Sequence, residues 1–338
     1  MNPVVSILIP AYNSERWLAD SIRSALAQTW TNTEVVVVDD GSKDNTLAVA
    51  RQFESKAVKV IGQQNQGAAG ARNTAFAACH GDYIQWLDAD DILERDKVAQ
   101  QVRRIEDGTS HTLLSGAWGY FRYRTRKTHF SPSPLWMNLT PVEWLYRKMS
   151  QNLHMQTDNW LVSRELTQTA GPWDTRLWRD NDGEYFLRVI AASDRIHFVP
   201  EARSHYRRSG SSSVSYIGGS SKKLESLFLS MTLHINCLRS MEDSERTRAA
   251  CVTYISNWLF EFYPYRQDLG ERLIRIAADL GGVARPHLSR KYDWIASVFG
   301  WDLARRVQLM LPAIKQTAAS SWDRAMYRLE NRQGAMSE

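Results

Sequence analysis

The sequence predicts an α/β protein, a parallel-rich mixed sheet flanked by helices and followed by a helical C-terminal region. Three observations carry that expectation. Short β-branched runs alternate with helix-period stretches through the first third of the chain. Acidic and polar clusters fall where those runs stop. From about residue 220 onward, apolar residues recur at helical spacing.

Val4 to Ile9 is an apolar run ending at Pro10, which reads as a buried strand. Ser14 is the expected cap of a helix carrying Trp17, Leu18, Ile22, Ala25 and Leu26 on one face. Glu34 to Val38 is a second strand that stops at Asp39-Asp40-Gly41-Ser42. A helix with Leu47, Ala50 and Phe53 apolar follows, then a strand from Val58 to Ile61, a helix from Ala68 to Cys79 and a strand from Tyr83 to Leu87. Connections this short between alternating elements favour parallel strands covered by helices. Residues 110–215 are less regular and rich in aromatic and basic side chains, as in Trp118 to Lys127 and Trp173 to Arg179. Ser209 to Ser215 and Gly218 to Ser221 read as a mobile loop. Beyond it Leu224, Leu227, Phe228, Met231 and Ile235, then Trp258, Leu259 and Phe262, mark helices.

The 338 residues suit one large domain or a domain with an appendage, and order is expected through all but the last few. A net charge of +5 favours nucleotide phosphates and anionic lipid, but is too small to indicate nucleic acid. Cys79, Cys237 and Cys251 are distant and odd in number, which reads as three packed thiols with neither a disulfide framework nor a zinc site. Met1-Asn2-Pro3 runs into the first strand without a basic n-region, and no uncharged apolar run approaches the ~20 residues that span a bilayer. The chain is therefore expected in the cytosol or at the cytosolic face of a membrane.

Ligands of such sheets bind beyond the carboxyl ends of the strands. Asp88-Ala89-Asp90 directly follows a strand, and carboxylates two apart there suit one hard cation, Mg2+ or Mn2+, shared with substrate phosphates. A solvated acidic turn is the alternative. A carboxylate of Asp39-Asp40 suits hydrogen bonds from a base or ribose, with capping of a helix from Asp44 as the alternative. Gly67 to Asn73 opens a helix with small residues, and Arg72 on it is long enough to meet a phosphate. It is not the glycine fingerprint of a nicotinamide-dependent oxidoreductase.

Val5-Ser6-Ile7-Leu8-Ile9-Pro10-Ala11-Tyr12-Asn13, Val38-Asp39-Asp40-Gly41-Ser42 with Asp44 and Thr46, Asn65 and Gly67 with Ala71-Arg72-Asn73, and Leu87-Asp88-Ala89-Asp90-Asp91 follow one another as in family-2 glycosyltransferases. The sequence resembles that family over residues 4–215, most strongly before residue 92. The resemblance implies a GT-A-type nucleotide-binding sheet at 1–110, an acceptor and catalytic part at 111–215, and a helical C-terminal region at 216–335. It implies a nucleoside-diphosphate sugar donor, contacts to it from Pro10, Tyr12, Asn13, Asp40, Arg72 and Asp88, and a metal held by Asp90 and Asp88. Such inverting enzymes take their base from an acidic pair opening a helix. Here the pair is Asn181-Asp182, so Asp182 keeps the position of the base, with Asp180 and Glu184 as rivals. Family members often follow with a Tyr-Arg and a His. The Tyr-Arg is Tyr206-Arg207 and the expected His is Ser209, which leaves Arg207 and Arg208 for the diphosphate and makes His205 structural.

The implied reaction transfers a hexose to a glycan or lipid-linked acceptor in polysaccharide, lipopolysaccharide or glycolipid synthesis. A non-catalytic binding module of the same fold is the alternative. In the tail, Arg285, Arg290, Lys291, Trp294, Phe299, Trp301, Arg305 and Arg306, with Leu303, Val307, Met310 and Leu311, suit either an interfacial helix on anionic lipid or a helix packed on its own domain.

Overall fold

Strand β1 (Val5–Ala11) lies at the centre of the first sheet, flanked in parallel by β2 (Thr33–Asp39) and β4 (Tyr83–Trp86). In this computed structural model, residues 2–105, 110–208, 220–263 and 265–286 are described, together with 295, 297, 298, 300 and 321–327. Val35, Val36, Val37 and Val38 of β2 are all buried, each worth about 1.5–3 kcal/mol of apolar burial. A strand covered on both faces needs no alternation, and a continuous β-branched run satisfies it. Strand β3 (Val58–Gly62) extends the parallel set, and β8 (Val162–Ser163) closes the other edge antiparallel to β4, giving the order β3-β2-β1-β4-β8.

Helices α1 (Leu18–Leu26), α2 (Thr46–Arg51) and α3 (Gly67–Ala77) fill the crossovers. The expected cap of α1 is corrected. Helix α1 starts at Leu18 without a side-chain cap, Ser14 Oγ donates to the Tyr12 carbonyl, and Leu26 is exposed. The Ser14 carbonyl still accepts from Trp17 and Leu18 N–H, so the turn leading in is held by backbone.

The second sheet is absent from the sequence-based expectation. Its strands are β5 (Ile92–Leu93), β6 (Thr112–Phe121), β7 (His129–Phe130) and β9 (Arg195–Arg207), in the order β5-β9-β6-β7. Helices α4 (Lys97–Val102), α5 (Pro141–Ser150), α6 (Arg164–Ala170) and α7 (Asn181–Ala192) lie between these strands in sequence. Helix α5 opens with Thr140 capping Glu143 N–H and Pro141 in its first turn.

The C-terminal helices α8 (Ser221–Met241), α9 (Glu245–Leu259) and α10 (Gln267–Asp279) match the helical expectation. One apolar core runs from Trp86 of the first sheet through Trp173 and Tyr185 to Leu227, Tyr254 and Leu273 of these helices. The Trp173 and Tyr185 rings stack with centroids 4.0 Å apart, and Trp86 meets Trp173 edge-on at 5.2 Å. This contact fixes the loop before α7 against the end of β4, and so carries α7 to the strand ends. The three cysteines are free, with Cys79 and Cys251 buried.

Candidate active site

The parallel register aligns Ala11 with Asp39 and Leu8 with Trp86, so the segments after β1, β2 and β4 leave the sheet at one edge. The first two are laced together. Asn13, in the left-handed region at φ 49°, donates its N–H to Ser42 Oγ and accepts the Lys43 N–H. Ser14 N–H donates to Thr46 Oγ1, and Glu15 accepts from Asn45 N–H. Tyr12 stands on this base with 45% of its surface exposed, which leaves a ring open to a ligand.

Asp40 is buried at the expected edge, but its carboxylate accepts from Gln63 Nε2, Gln66 N–H and Gly67 N–H at 2.7–2.9 Å. It therefore caps α3 rather than the helix after Asp44. The neighbouring Asp39 carries the buried oxygen without a partner, its Oδ1.

Arg72 points from α3 into the gap between the sheet and α7. It pairs with Asp88 Oδ1 at 2.7 Å, donates to Asn181 Oδ1 at 3.2 Å and lies 4.4 Å from the Trp173 ring centroid. Asn181, where the family resemblance leads one to expect an acid, thus serves as a neutral acceptor for Arg72.

Four carboxylates gather around Tyr206 of β9. Asp88, Asp90, Asp91 and Asp182 all act electrostatically on its phenol, which burial first and then these charges hold well above the usual tyrosine range. Asp91, buried and accepting the Arg207 N–H at 2.7 Å, is pushed well up by burial and by Asp90, Asp158 and Asp88. Asp88 and Asp90 offer only charged oxygen atoms in a site already crowded with negative charge, which fits a hard cation such as Mg2+ or Mn2+. Among the described residues no three His, Cys, Asp or Glu side chains form a metal cage. Magnesium sites commonly take one or two carboxylates and complete their shell with substrate phosphates and water.

Arg207 requires a correction. Its guanidinium is buried, donating from Nε to the Asp90 carbonyl at 2.7 Å, from one terminal nitrogen to the Arg122 carbonyl and from the other to Asp20. Trp17 and Phe121 cover it at 4.1 and 4.5 Å. Every side-chain nitrogen has a protein acceptor, so Arg207 braces the Asp90–Asp91 turn instead of offering an open anion site. Arg208 is the exposed member of the pair. His205 bridges Thr128 and Glu94, in keeping with a structural role.

The three acidic residues at the start of α7 separate cleanly. Glu184 is buried and forms a two-point pair with Arg188. Asp180 accepts from Ser230 Oγ of α8. Asp182 has no side-chain hydrogen-bond partner among the described residues, and its carboxyl is raised by burial, then by Asp180. Arg72 opposes that rise, and Asp88 adds to it.

Sequence reasoning missed the polar layer beneath this cluster. Lys97 is fully buried and donates to Gln85 and Gln101, while fully buried Asp158 has both carboxylate oxygens without a hydrogen-bond partner. Burial pushes the lysine down and the aspartic acid up, and each charge opposes the other's shift. No spacing in the sequence signals that pair, because the two residues sit 61 positions apart on unrelated elements.

Residues 6–170 match the family model described as Glycosyl transferase family 2. Chondroitin synthase of Escherichia coli is 46% identical over 98 residues, covering 28% of this chain and 14% of that protein. The E. coli protein named UDP-Glc:alpha-D-GlcNAc-diphosphoundecaprenol beta-1,3-glucosyltransferase WfgD is 42% identical over 29% of this chain and 40% of its own. The chain spans less than two thirds of the curated relatives it matches, as in these two. Among solved structures, S. aureus TarS 1–349 in complex with UDP-GlcNAc superposes with a TM-score of 0.64 over 81% of both chains at 18% identity. The mannosyltransferase PcManGT from Pyrobaculum calidifontis, in complex with GDP-Man and Mn2+, gives 0.52 at 19% identity over 95% of this chain and 88% of that one. Both likenesses concern the fold, a parallel-rich mixed sheet flanked by helices and followed by a helical region.

Proposed function

Since the chain belongs to glycosyl transferase family 2, we propose that it transfers a sugar from a nucleoside-diphosphate donor to an acceptor hydroxyl, with inversion at the anomeric carbon. The observation that carries this reading is Asp182, whose carboxylate has no side-chain partner among the described residues yet shares the cluster with Asp88 and Tyr206. A carboxyl raised above its ordinary range in a part-buried site suits proton abstraction.

Tyr12, Pro10, Asn13 and the Asp39–Asp40 pair form the nucleoside side, in this reading, with Arg72 and Asp88 towards the diphosphate. Asp182 takes the acceptor hydroxyl proton as that oxygen bonds to the anomeric carbon. The bond from that carbon to the diphosphate oxygen breaks, and its electron pair leaves with the nucleoside diphosphate. One such displacement inverts the centre. Asp90 and Asp88 would hold Mg2+ or Mn2+, which supplies positive charge against the departing diphosphate. Residues 1–110 then serve the donor and 111–215 the acceptor and the base, with the helical region from 216 supporting them.

Three donors follow from the names of similar proteins: UDP-glucose, UDP-N-acetylglucosamine and GDP-mannose. At least one of them is expected to be hydrolysed in the presence of Mn2+ or Mg2+, read as released nucleoside diphosphate. Absence of both binding and hydrolysis with every nucleotide-sugar tried would refute the reading.

The acceptor in this reading is a glycan or a lipid-linked glycan of cell-envelope polysaccharide synthesis. The protein then works in the cytoplasm, in peripheral contact with the cytosolic face of an anionic membrane. Among the described residues no helix is long and apolar enough to cross a membrane. Of the basic and aromatic tail, Arg285 is exposed, while Arg290, Lys291, Trp294, Phe299, Trp301, Arg305 and Arg306, with Leu303, Val307, Met310 and Leu311, lie outside the described residues. Anionic liposomes should float the full chain and release it when residues 285–338 are removed. Equal flotation of both forms would remove the membrane contact.

A further inference from the structure

Beneath the start of α7, three other helices bring a second polar cluster together. Asp180 is a non-glycine residue in the left-handed region, at φ 55°, a conformation costing about 1–2 kcal/mol that persists where the surroundings enforce it. Its carboxylate folds back over Gly183, where a Cβ would sit 2.2 Å from Asp180 Oδ1, so a side chain there would push the carboxylate aside. Ser230 Oγ of α8 donates to the other oxygen. One turn on, buried His234 meets the Ser230 carbonyl at 2.9 Å and Lys148 Nζ of α5 at 3.4 Å. Lys148 Nζ also lies 5.5 Å from the Tyr254 ring centroid of α9. The charge of Lys148 faces both Asp180 and Asp182.

We propose that Asp180 and Lys148 are positioning residues that set the basicity of Asp182 in opposite senses, held by the C-terminal helices. The inference rests on Asp182 being the base. A negative Asp180 disfavours a second negative charge beside it, making Asp182 a stronger base, and Lys148 limits that effect. The other groups facing Asp182 are Arg72 of α3, Asp88 after β4 and Tyr206 of β9. Those facing Asp180 are Arg179, Lys148, His234 and Tyr254. Burial, then Lys148, pushes His234 down to about 4, so it stays neutral near neutrality, while burial also lowers Lys148 and the charges of Asp180, then Asp182, oppose that shift. This gives the helical region a catalytic purpose beyond covering apolar surface.

The test uses the full chain and whichever of UDP-glucose, UDP-N-acetylglucosamine or GDP-mannose it hydrolyses fastest. Asn adopts the left-handed region readily and matches Asp in shape, so Asp180→Asn removes charge with little strain. Its acid limb in the pH profile of kcat is expected about 0.5–1 unit lower, with the donor KM unchanged. Lys148→Met is expected to move the limb upward, and Lys148→Arg to leave it in place. Opposite shifts are what a merely structural role does not produce. Limbs that stay put, or move the same way, in Asp180→Asn and Lys148→Met overturn the proposal, while an inactive Asp182→Asn beside them leaves the base standing. Turnover retained by Asp182→Asn overturns both. Should Asp180→Asn fail to fold, the Lys148 pair decides.

Discussion

Asp182→Asn is expected to lower turnover about 10²–10⁴-fold while the nucleotide binds with nearly unchanged affinity. The substitution keeps size and shape while removing the carboxylate's charge and with it the capacity to take a proton. Asp182 lies in the first turn of α7 with no side-chain partner among the described residues, and an Asn oxygen can still accept the Gly183 N–H that the carboxylate accepts. Its raised carboxyl also fixes the sign of the pH effect. The base must be ionised to work, so wild-type activity falls as pH drops through a value above the ordinary 3.8, and that limb should vanish from the residual activity of the variant. Turnover against pH and calorimetric titration with the nucleoside diphosphate read the two effects apart. Glu184→Gln provides the contrast. It weakens the two-point pair with Arg188 at α7, so its cost should appear in thermal stability ahead of proton transfer. Near wild-type turnover in Asp182→Asn would remove it as the base.

The first sheet was readable because its signals are local. Val35 to Val38 declare a strand buried on both faces, and the turn that follows holds its acids within a few positions. The second sheet offered no such signal. Strand β6 is buried along nearly its whole length but is broken by Gly116 and Gly119, and its parallel partner β9 follows some 80 residues later. Gly116 is required because a Cβ there would meet the Ala202 carbonyl at 2.2 Å, where the β6–β9 register shifts. That constraint comes from the partner strand and cannot be seen in either segment alone. Side-chain commitment was equally hidden. The sequence supplied an Arg at 207 and an Asp at 40, but only packing decides whether such a group faces a ligand or is consumed by the chain. For Arg207 the protein takes every donor nitrogen. For Asp40 the start of α3 takes the carboxylate, while Asp39 retains the unpartnered oxygen.

The second large effect concerns the charge on the departing diphosphate. Excess chelator is expected to suppress turnover, and added Mn2+ or Mg2+ to restore it. Asp90→Asn should cost about 10²–10³-fold even with saturating metal, equivalent to several kcal/mol of transition-state stabilisation. Arg207 holds the turn of Asp90 through the backbone carbonyl and the neighbouring Asp91. The loop therefore has reason to survive loss of one carboxylate charge. Asp88→Asn does two things at once, removing a ligand and releasing Arg72 from its 2.7 Å pair, so stability should suffer as well. Loss of the metal also leaves Asp88, Asp90, Asp91 and Asp182 to repel both one another and the incoming diphosphate. Nucleoside diphosphate should accordingly bind more tightly with Mn2+ in the wild type and gain little from it in Asp90→Asn. Turnover unaffected by chelator, together with equal metal dependence of nucleotide binding in both proteins, would mean that the acidic cluster does not hold a cation. Among the described residues, Arg72 and Arg208 would then be candidates to meet the leaving group.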